Sequence, residues 1–230
     1  VTAGQPITIT VRATALNGDG VLGNADTTDQ HFALVCLNCA QEAQFVLSGD
    51  MEAASICAPQ GVTRQIDVGQ ILGFNQAVTM SSTGWPAPGT VAFAPQTVAT
   101  LPGTTTVTVD SAGVAPGAYD VQIVGTAGSL VRSLSLPITL ATAAPGAPAL
   151  ALPANAATAV TLRPTLTWTA SAQAADYVVQ VSTDAGFSTI VWQRSTSETS
   201  ATLDIDLDTS TQYHWRVFAR NACNPVSDLW

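Results

Sequence analysis

Lysine is absent from this chain, and charge of either sign is scarce. Charged residues make up 10% of the 230 residues, and the seven basic residues, all arginine, are outnumbered by 16 acids, which gives a net charge of −9. A protein that holds nucleic acid through its phosphates needs a basic surface. The composition therefore predicts no nucleic-acid partner.

Long apolar runs and catalytic motifs are also missing. The longest candidate for a membrane span, residues 141–152, is interrupted by Pro145 and Pro148 and is too short to cross a bilayer. Neither His31 nor His214 stands beside a recognisable nucleophile motif, and no glycine-rich phosphate loop is present. We therefore expect no membrane span, no nucleotide cofactor and no enzyme activity in this chain.

What the chain does contain is the pattern of an all-β protein. It has 13 prolines, 17 glycines and 47% hydrophobic residues, and it is long enough for two domains. Strand-like segments recur every eight to twelve residues with turn residues between them, which is typical of a β-sandwich. They lie at residues 45–47, 62–68, 77–81, 91–93, 104–109, 118–124 and 130–140.

The predicted organisation is two β-sandwiches in tandem behind a short leading segment. Residues 1–43 hold two strand-like runs, too few to bury a core, so this segment either docks on the next domain or ends an upstream one. The first sandwich is predicted at residues 44–142. A stiff, proline-containing linker follows at residues 143–148, and the second sandwich takes residues 149–230.

Two tyrosines mark the corners of the sandwiches. The sequence PGAYDV around Tyr119 indicates a tyrosine corner at the start of the penultimate strand of the first sandwich. In the second half, TLTW at Thr165, YVVQV at Tyr177 and the run LDTSTQYHWRVFA from Leu207 resemble the B, C and F strands of a fibronectin type III domain. The resemblance implies a second core, formed by Leu166, Trp168, Tyr177, Val179, Val181, Tyr213, Trp215 and Val217.

A wider resemblance covers nearly the whole chain. The residues that carry it are NGDGV from Asn17, Asp26, Asp29-Gln30, FALVC from Phe32, Asn38-Cys39, ICAP from Ile56 and Asn221-Ala222-Cys223. Together they are similar to the region after the peptidase domain in bacterial secreted proteases, particularly subtilisin-like ones. The resemblance implies the tail of a jelly-roll-like domain, then an immunoglobulin-like domain, then a fibronectin type III domain.

Four cysteines in an exported chain predict disulfides. Cys36 and Cys39 have C-x-x-C spacing, for which a local disulfide, half of a zinc site and a redox couple are the alternatives. In the two-sandwich topology Cys57 falls in the turn before the second strand of the first sandwich, and Cys223 follows the F strand of the second. Both lie at the linker end, so they can pair across the interface. The alternatives are that Cys57 pairs with the Cys36/Cys39 pair or that Cys223 stays unpaired.

The loop at residues 17–29 is a candidate calcium site. Calcium takes several oxygen ligands on a tightly turning backbone, and this loop offers them together with three glycines. A plain hairpin turn has the same composition, and the loop lacks the terminal glutamate of an EF-hand. The candidate ligands are Asn17, Asp19, Asn24, Asp26 and Asp29. Apart from this candidate calcium, we expect no cofactor.

Two tryptophans are candidates for surface binding. Trp85 lies in a loop and Trp192 on a predicted edge strand, where an exposed ring can stack on a sugar or dock on a partner; the alternative is that such a ring covers one end of the sandwich. The alternation of Asp204, Asp206 and Asp208 predicts a strand with one solvated face.

These observations lead to a function hypothesis and one alternative. We expect a secreted or cell-surface, non-catalytic accessory region that spaces or stabilises the upstream domain of a larger hydrolase, a subtilisin-like protease by the resemblance. The alternative is a structural subunit of an extracellular layer, filament or adhesin stalk. It rests on the last fibronectin strand, which is only beginning at Trp230, so that either the sequence is truncated or a neighbouring copy or another protein supplies the strand.

Overall fold

The computed structural model describes residues 42–224, and strands joined by turns and loops make up this whole range. The candidate calcium residues, the pair Cys36 and Cys39, and His31 lie outside the described residues. Nine strands form the first sandwich: β1 Gln44–Gly49, β2 Ala54–Cys57, β3 Val62–Ile71, β4 Val78–Thr83, β5 Thr90–Ala94, β6 Thr97–Val98, β7 Gly103–Asp110, β8 Gly117–Ala127 and β9 Leu130–Ala141.

The nine strands are divided between two sheets. One sheet has the order β1-β3-β7-β5 and the other the order β2-β9-β8-β4-β6. Strand β2 runs parallel to β9, whereas the remaining described pairs are antiparallel. The first two strands therefore enter opposite sheets, and β2 brings Cys57 level with Ala141 at the end of β9. This arrangement is immunoglobulin-like.

Alternating side chains close the first core. Val107 and Val109 of β7 face Val121 and Ile123 of β8, and all four are buried. At one end of this core the rings of Phe45 and Phe74 pack at a centroid distance of 5.8 Å. Because apolar residues recur at every second position, each strand gives one face to the core and the other to solvent.

The tyrosine corner predicted at Tyr119 is present. The Tyr119 hydroxyl donates a hydrogen bond to the carbonyl oxygen of Ala115 at 2.8 Å, four residues upstream. The indole of Trp85 packs edge-on against this ring at 5.1 Å and donates from Nε1 to the carbonyl oxygen of Asp110 at 2.9 Å. The half-buried Trp85 thus covers the end of the first sandwich at which β8 begins.

Six strands form the second sandwich. They are β10 Leu150–Leu152, β11 Thr165–Trp168, β12 Asp176–Ser182, β13 Ile190–Thr196, β14 Ser200–Thr202 and β15 His214–Arg220. One sheet has the order β10-β11-β14 and the other the order β13-β12-β15, and all the pairs are antiparallel. With β10 taken as the A strand, these are the A-B-E and C′-C-F sheets of a fibronectin type III-like sandwich.

The second core follows the prediction closely. Tyr213 and Trp215 are half-buried against the core, and the tyrosine hydroxyl accepts a hydrogen bond from the backbone N–H of Asp208 at 3.0 Å, as expected of the corner. The other predicted core residues are buried, namely Leu166, Trp168, Tyr177, Val179, Val181 and Val217.

Three details differ from the sequence prediction. Strands β2, β6, β10 and β14, of two to four residues each, were not predicted. Cys57 therefore ends a strand instead of lying in a turn. The strand predicted through Asp204, Asp206 and Asp208 is wrong, since β14 ends at Thr202 and the next strand begins at His214.

Candidate functional site at the junction between the sandwiches

A disulfide joins the two sandwiches. Cys57 and Cys223 are bonded with their Cα atoms 4.9 Å apart, although 166 positions separate them in the sequence. The first lies at the end of β2 and the second in the turn after β15, so the bond spans the linker from one sandwich to the other. This confirms the predicted pairing. In the chain-entropy account, closing so long a loop stabilises the folded state by up to about 5 kcal/mol.

Asn221 is the second component of this junction. Its side chain is 8% exposed, and Nδ2 donates to the carbonyl oxygens of Ala143 at 2.8 Å and Gln173 at 3.0 Å. Its Oδ1 accepts from the backbone N–H of Cys223 at 2.8 Å. One buried amide therefore connects the linker, the loop between β11 and β12, and the turn that holds the disulfide.

The linker is bonded to the second sandwich along its length. The backbone N–H of Thr142 donates to Oε1 of Gln173 at 2.7 Å, and the Ser171 hydroxyl donates to the carbonyl oxygen of Gly146 at 2.7 Å. Further on, Pro148 is buried. Backbone groups of a free linker would bond only to water, so these contacts hold residues 142–148 against the second domain.

The junction roles of Asn221 and Gln173 were not predicted from the sequence. Gln173 adopts a left-handed backbone conformation, with φ of 61°, which presents its side chain to Thr142. Neither residue type signals such a role by itself. The one available signal was the tripeptide Asn-Ala-Cys at residues 221–223, which directly follows a strand and contains a cysteine predicted to bridge the domains.

The second predicted surface tryptophan, Trp192, is buried rather than exposed. Trp192 is on an edge strand, as predicted, but its side chain is only 7% exposed and packs in the second core. Its Nε1 donates to a carboxylate oxygen of Asp204 at 2.6 Å, and this bond holds the pKa of Asp204 below its usual range. The buried ring is not available for stacking on a sugar.

From residue 42 to residue 224, no three His, Cys, Asp or Glu side chains converge in an arrangement that would hold a metal ion. The same part of the chain contains no helix long and apolar enough to span a membrane. His214, at the start of β15, is half-buried.

Sequence comparisons do not assign this chain to a family. No protein-family profile matches the sequence. No curated protein is significantly similar to it.

The solved structures that are similar to part of this chain include the following three. Domains of titin share 20% identity at a TM-score of 0.41, over 79% of this chain and 61% of that one. Domains 4 and 5 of the S-layer protein SbsC share 18% identity at a TM-score of 0.34, over 44% of this chain and 54% of that one. Fibronectin(III)-like modules of Clostridium thermocellum CbhA share 12% identity at a TM-score of 0.33, over 77% of this chain and 95% of that one. This chain spans little more than half of the first two, and its fold class rests on its own strand order.

Proposed function

We propose that this chain is a non-catalytic spacer region of a larger extracellular protein, in which the two sandwiches act as one stiff unit. The observation that carries the proposal is the junction, where the disulfide between Cys57 and Cys223 and the amide of Asn221 act on the same few residues. Tandem sandwiches joined only by a free linker move relative to each other by default. Here the disulfide joins the two sandwiches directly, and the Asn221 amide holds the linker against the second sandwich, so both oppose that motion.

The disulfide also supports an extracellular location. Disulfides persist in oxidising compartments and are rare in the cytosol, where thiols are kept reduced. A net charge of −9 with no lysine is consistent with a surface that stays soluble and does not bind the phosphates of nucleic acids.

The specific form of the proposal is that the spaced domain is a subtilisin-like serine peptidase, upstream in the same polypeptide. Its support is the sequence resemblance, which includes the ICAP segment at Cys57 and the Asn-Ala-Cys segment at Cys223. The test is the intact mass of the native polypeptide from its source together with labelling by a fluorophosphonate probe. A larger, labelled species containing this sequence supports the peptidase form, and an unlabelled native polypeptide rejects it.

Stiffness is tested separately on the 230-residue chain by small-angle X-ray scattering. We expect one narrow distribution of maximum dimensions for the oxidised chain and a broader one for the double variant Cys57→Ser/Cys223→Ser. Circular dichroism should show that both sandwiches of the variant remain folded. Identical scattering from the two proteins would show that the disulfide does not restrict the junction, and a broad distribution for the oxidised chain would reject the spacer proposal.

A second candidate is the structural subunit of an extracellular layer or filament. One observation favours it: the short edge strand β10 exposes Leu150 by 47% and Leu152 by 58%. Edge strands with exposed apolar side chains are ready sites for pairing between chains. If this candidate is right, Leu150→Lys/Leu152→Lys removes high-mass assemblies of the native protein; if assemblies form unchanged, the candidate fails.

A further inference from the structure

Arg216 lies between two aromatic rings on the outer face of the sheet β13-β12-β15. Its guanidinium carbon is 4.1 Å from the centre of the Phe187 ring and 4.8 Å from the centre of the Phe218 ring. Arg216 and both phenylalanines are half-buried, so part of each stays on the surface. A guanidinium with rings at such distances is held by cation–π attraction and loses little freedom on binding.

A buried glutamine fixes the guanidinium from below. Gln180 is 1% exposed, and β12 places it on the face opposite the core residues Val179 and Val181. Its Oε1 accepts from Nε of Arg216 at 2.7 Å, and its Nε2 donates to Oε1 of Gln193 at 2.7 Å. Gln180 binds only the Nε of Arg216. The two terminal nitrogens of the guanidinium have no hydrogen-bond partner within residues 42–224, so both can donate to a ligand.

The loop that carries Phe187 is held in a conformation unusual for an aromatic residue. Phe187 has φ of 57°, in the left-handed region, where a non-glycine residue is strained. The Asp184 carboxylate maintains it by accepting hydrogen bonds from the backbone N–H groups of Gly186, Ser188 and Thr189 at 2.9 to 3.2 Å and from the Ser182 hydroxyl at 3.0 Å. Four bonds therefore keep the Phe187 ring over Arg216.

Arg216 also differs in its charge partners from two other arginines of the second sandwich. Arg220, four residues further along β15 on the same face, makes a bidentate pair with Asp176 at 2.6 and 2.9 Å, and Arg163 pairs with Asp206 at 2.6 Å. Among the described residues, no carboxylate comes within 4.0 Å of the Arg216 guanidinium. Within residues 42–224, this planar cation, fixed by two rings and an amide, therefore has no counter-charge.

We propose that this Arg216 face, formed by Phe187, Gln180, Arg216 and Phe218, binds a surface carboxylate of a second copy of this chain. A second copy is complementary in charge to this cation, because acidic residues predominate in the chain. Each chain has 16 acids against seven arginines. In the described part of the chain, the exposed residues Glu52, Glu198 and Asp208 have no arginine within 4.0 Å. The terminal nitrogens of Arg216 match a carboxylate in bidentate geometry, with the two rings as apolar walls.

The test is sedimentation velocity of the 230-residue chain over a concentration series, with matched variants. We expect a reversible dimer whose dissociation constant rises about tenfold or more in Arg216→Gln, the size of a lost charge-assisted pair. Arg194→Gln is the control, since it removes the same charge from an exposed arginine of β13 outside the Arg216 face. We expect it to change the constant less than about twofold.

Two further measurements separate this contact from a general effect of charge or folding. Arg216→Lys keeps the charge but loses the planar fork, so the dimer should weaken nearly as much as in Arg216→Gln. Raising NaCl from about 0.15 M to about 1 M should reduce the difference in dissociation constant between the wild type and Arg216→Gln. Salt screens the ion pair that only the wild type forms, whereas it screens the repulsion between two negatively charged chains in both proteins. Circular dichroism should show every variant folded.

The outcomes that overturn the proposal are equally definite. A wild-type chain that stays monomeric at every concentration overturns it and leaves the Arg216 face to a different protein. A dimer that persists in folded Arg216→Gln, that is equally strong in Arg216→Lys, or that weakens as much in Arg194→Gln also overturns it. Each of these results would show that the dimer forms without the fixed guanidinium.

Discussion

The indole N–H of Trp192 and the carboxylate of Asp204 are hydrogen-bonded at 2.6 Å, and this contact joins the edge strand β13 to the segment that follows β14. The ring is buried while the carboxylate is exposed. The contact therefore satisfies the one polar atom of a core tryptophan, and it explains how a tryptophan on an edge strand contributes to stability rather than to surface binding.

Replacing Trp192 with phenylalanine should destabilise the second sandwich. The variant loses the indole hydrogen bond and leaves space in the core, for which we expect a loss of about 1 to 3 kcal/mol in the free energy of unfolding. Urea denaturation followed by circular dichroism measures the change. The matched control is Trp85→Phe, which removes an indole hydrogen bond at the half-buried end of the first sandwich. If Trp192→Phe unfolds at the same urea concentration as the wild type, the contact between Trp192 and Asp204 does not contribute to stability.

Acid should loosen the Phe187 loop in a defined pH range. Hydrogen bonds lower the pKa of Asp184 from 3.8 to about 2, and the bond from the backbone N–H of Ser188 has the largest effect. A carboxyl whose pKa is lower in the folded state stabilises the fold above its unfolded pKa and loses this contribution as pH falls through its folded pKa. The contribution of Asp184 should therefore decline from about pH 4 to about pH 2.

The comparison protein for this prediction is Asp184→Asn. Other carboxyls, including Asp204 and Asp206, also have lowered pKa values, so the wild type loses stability at acid pH from several groups. The difference in unfolding free energy between wild type and variant isolates Asp184. That difference should be largest near neutral pH and shrink towards pH 2; a difference independent of pH would contradict the assignment.

Asn221→Ala should weaken the junction without unfolding either sandwich core. The change removes the donors to Ala143 and Gln173 and leaves two carbonyl oxygens near the linker unsatisfied, at a cost of about 2 kcal/mol. Amide hydrogen exchange should rise at residues 142–149 and 171–174. Asn155→Ala, an exposed asparagine in the loop after β10, is the control and should leave exchange at the junction unchanged. Uniformly faster exchange throughout the second sandwich would mean that Asn221 supports the whole domain instead.

Tyr119→Phe tests the corner of the first sandwich. Its hydroxyl donates to the carbonyl oxygen of Ala115, and the ring supports Trp85. Removing only the oxygen keeps the ring contact, so we expect a loss of about 1 kcal/mol in unfolding free energy and an unchanged tryptophan fluorescence of the native state. A shifted native spectrum would show that the hydroxyl also fixes the position of Trp85.

Most of the architecture was predictable because it depends on alternation and on corner motifs. Tyr119 and Tyr213 each follow a recognisable turn sequence, and their hydrogen bonds involve the nearby backbone, so local sequence contains the information. The aspartates at residues 204–208 alternate as in a strand, yet they follow a strand of three residues and pair with side chains, such as Arg163, that are distant in sequence.

The junction was predictable only in part. The cysteine pairing followed from the ends of the sandwiches at which Cys57 and Cys223 were expected. The roles of Asn221 and Gln173 depend instead on which backbone groups of the linker the folded second sandwich brings within hydrogen-bonding distance of their side-chain amides. Trp192 was misjudged because an edge strand still has one face on the core, and sequence position alone does not say which side chains lie on that face.

The bond between Cys57 and Cys223 also determines how this chain carries tension. When the chain is pulled from points before Cys57 and after Cys223, the force passes through the two sulfur atoms and bypasses the strands between them. The 166 sequence steps that the disulfide closes correspond to about 550 Å of extended chain. That length stays folded and unloaded under pulling, and it becomes available for extension once the disulfide is reduced.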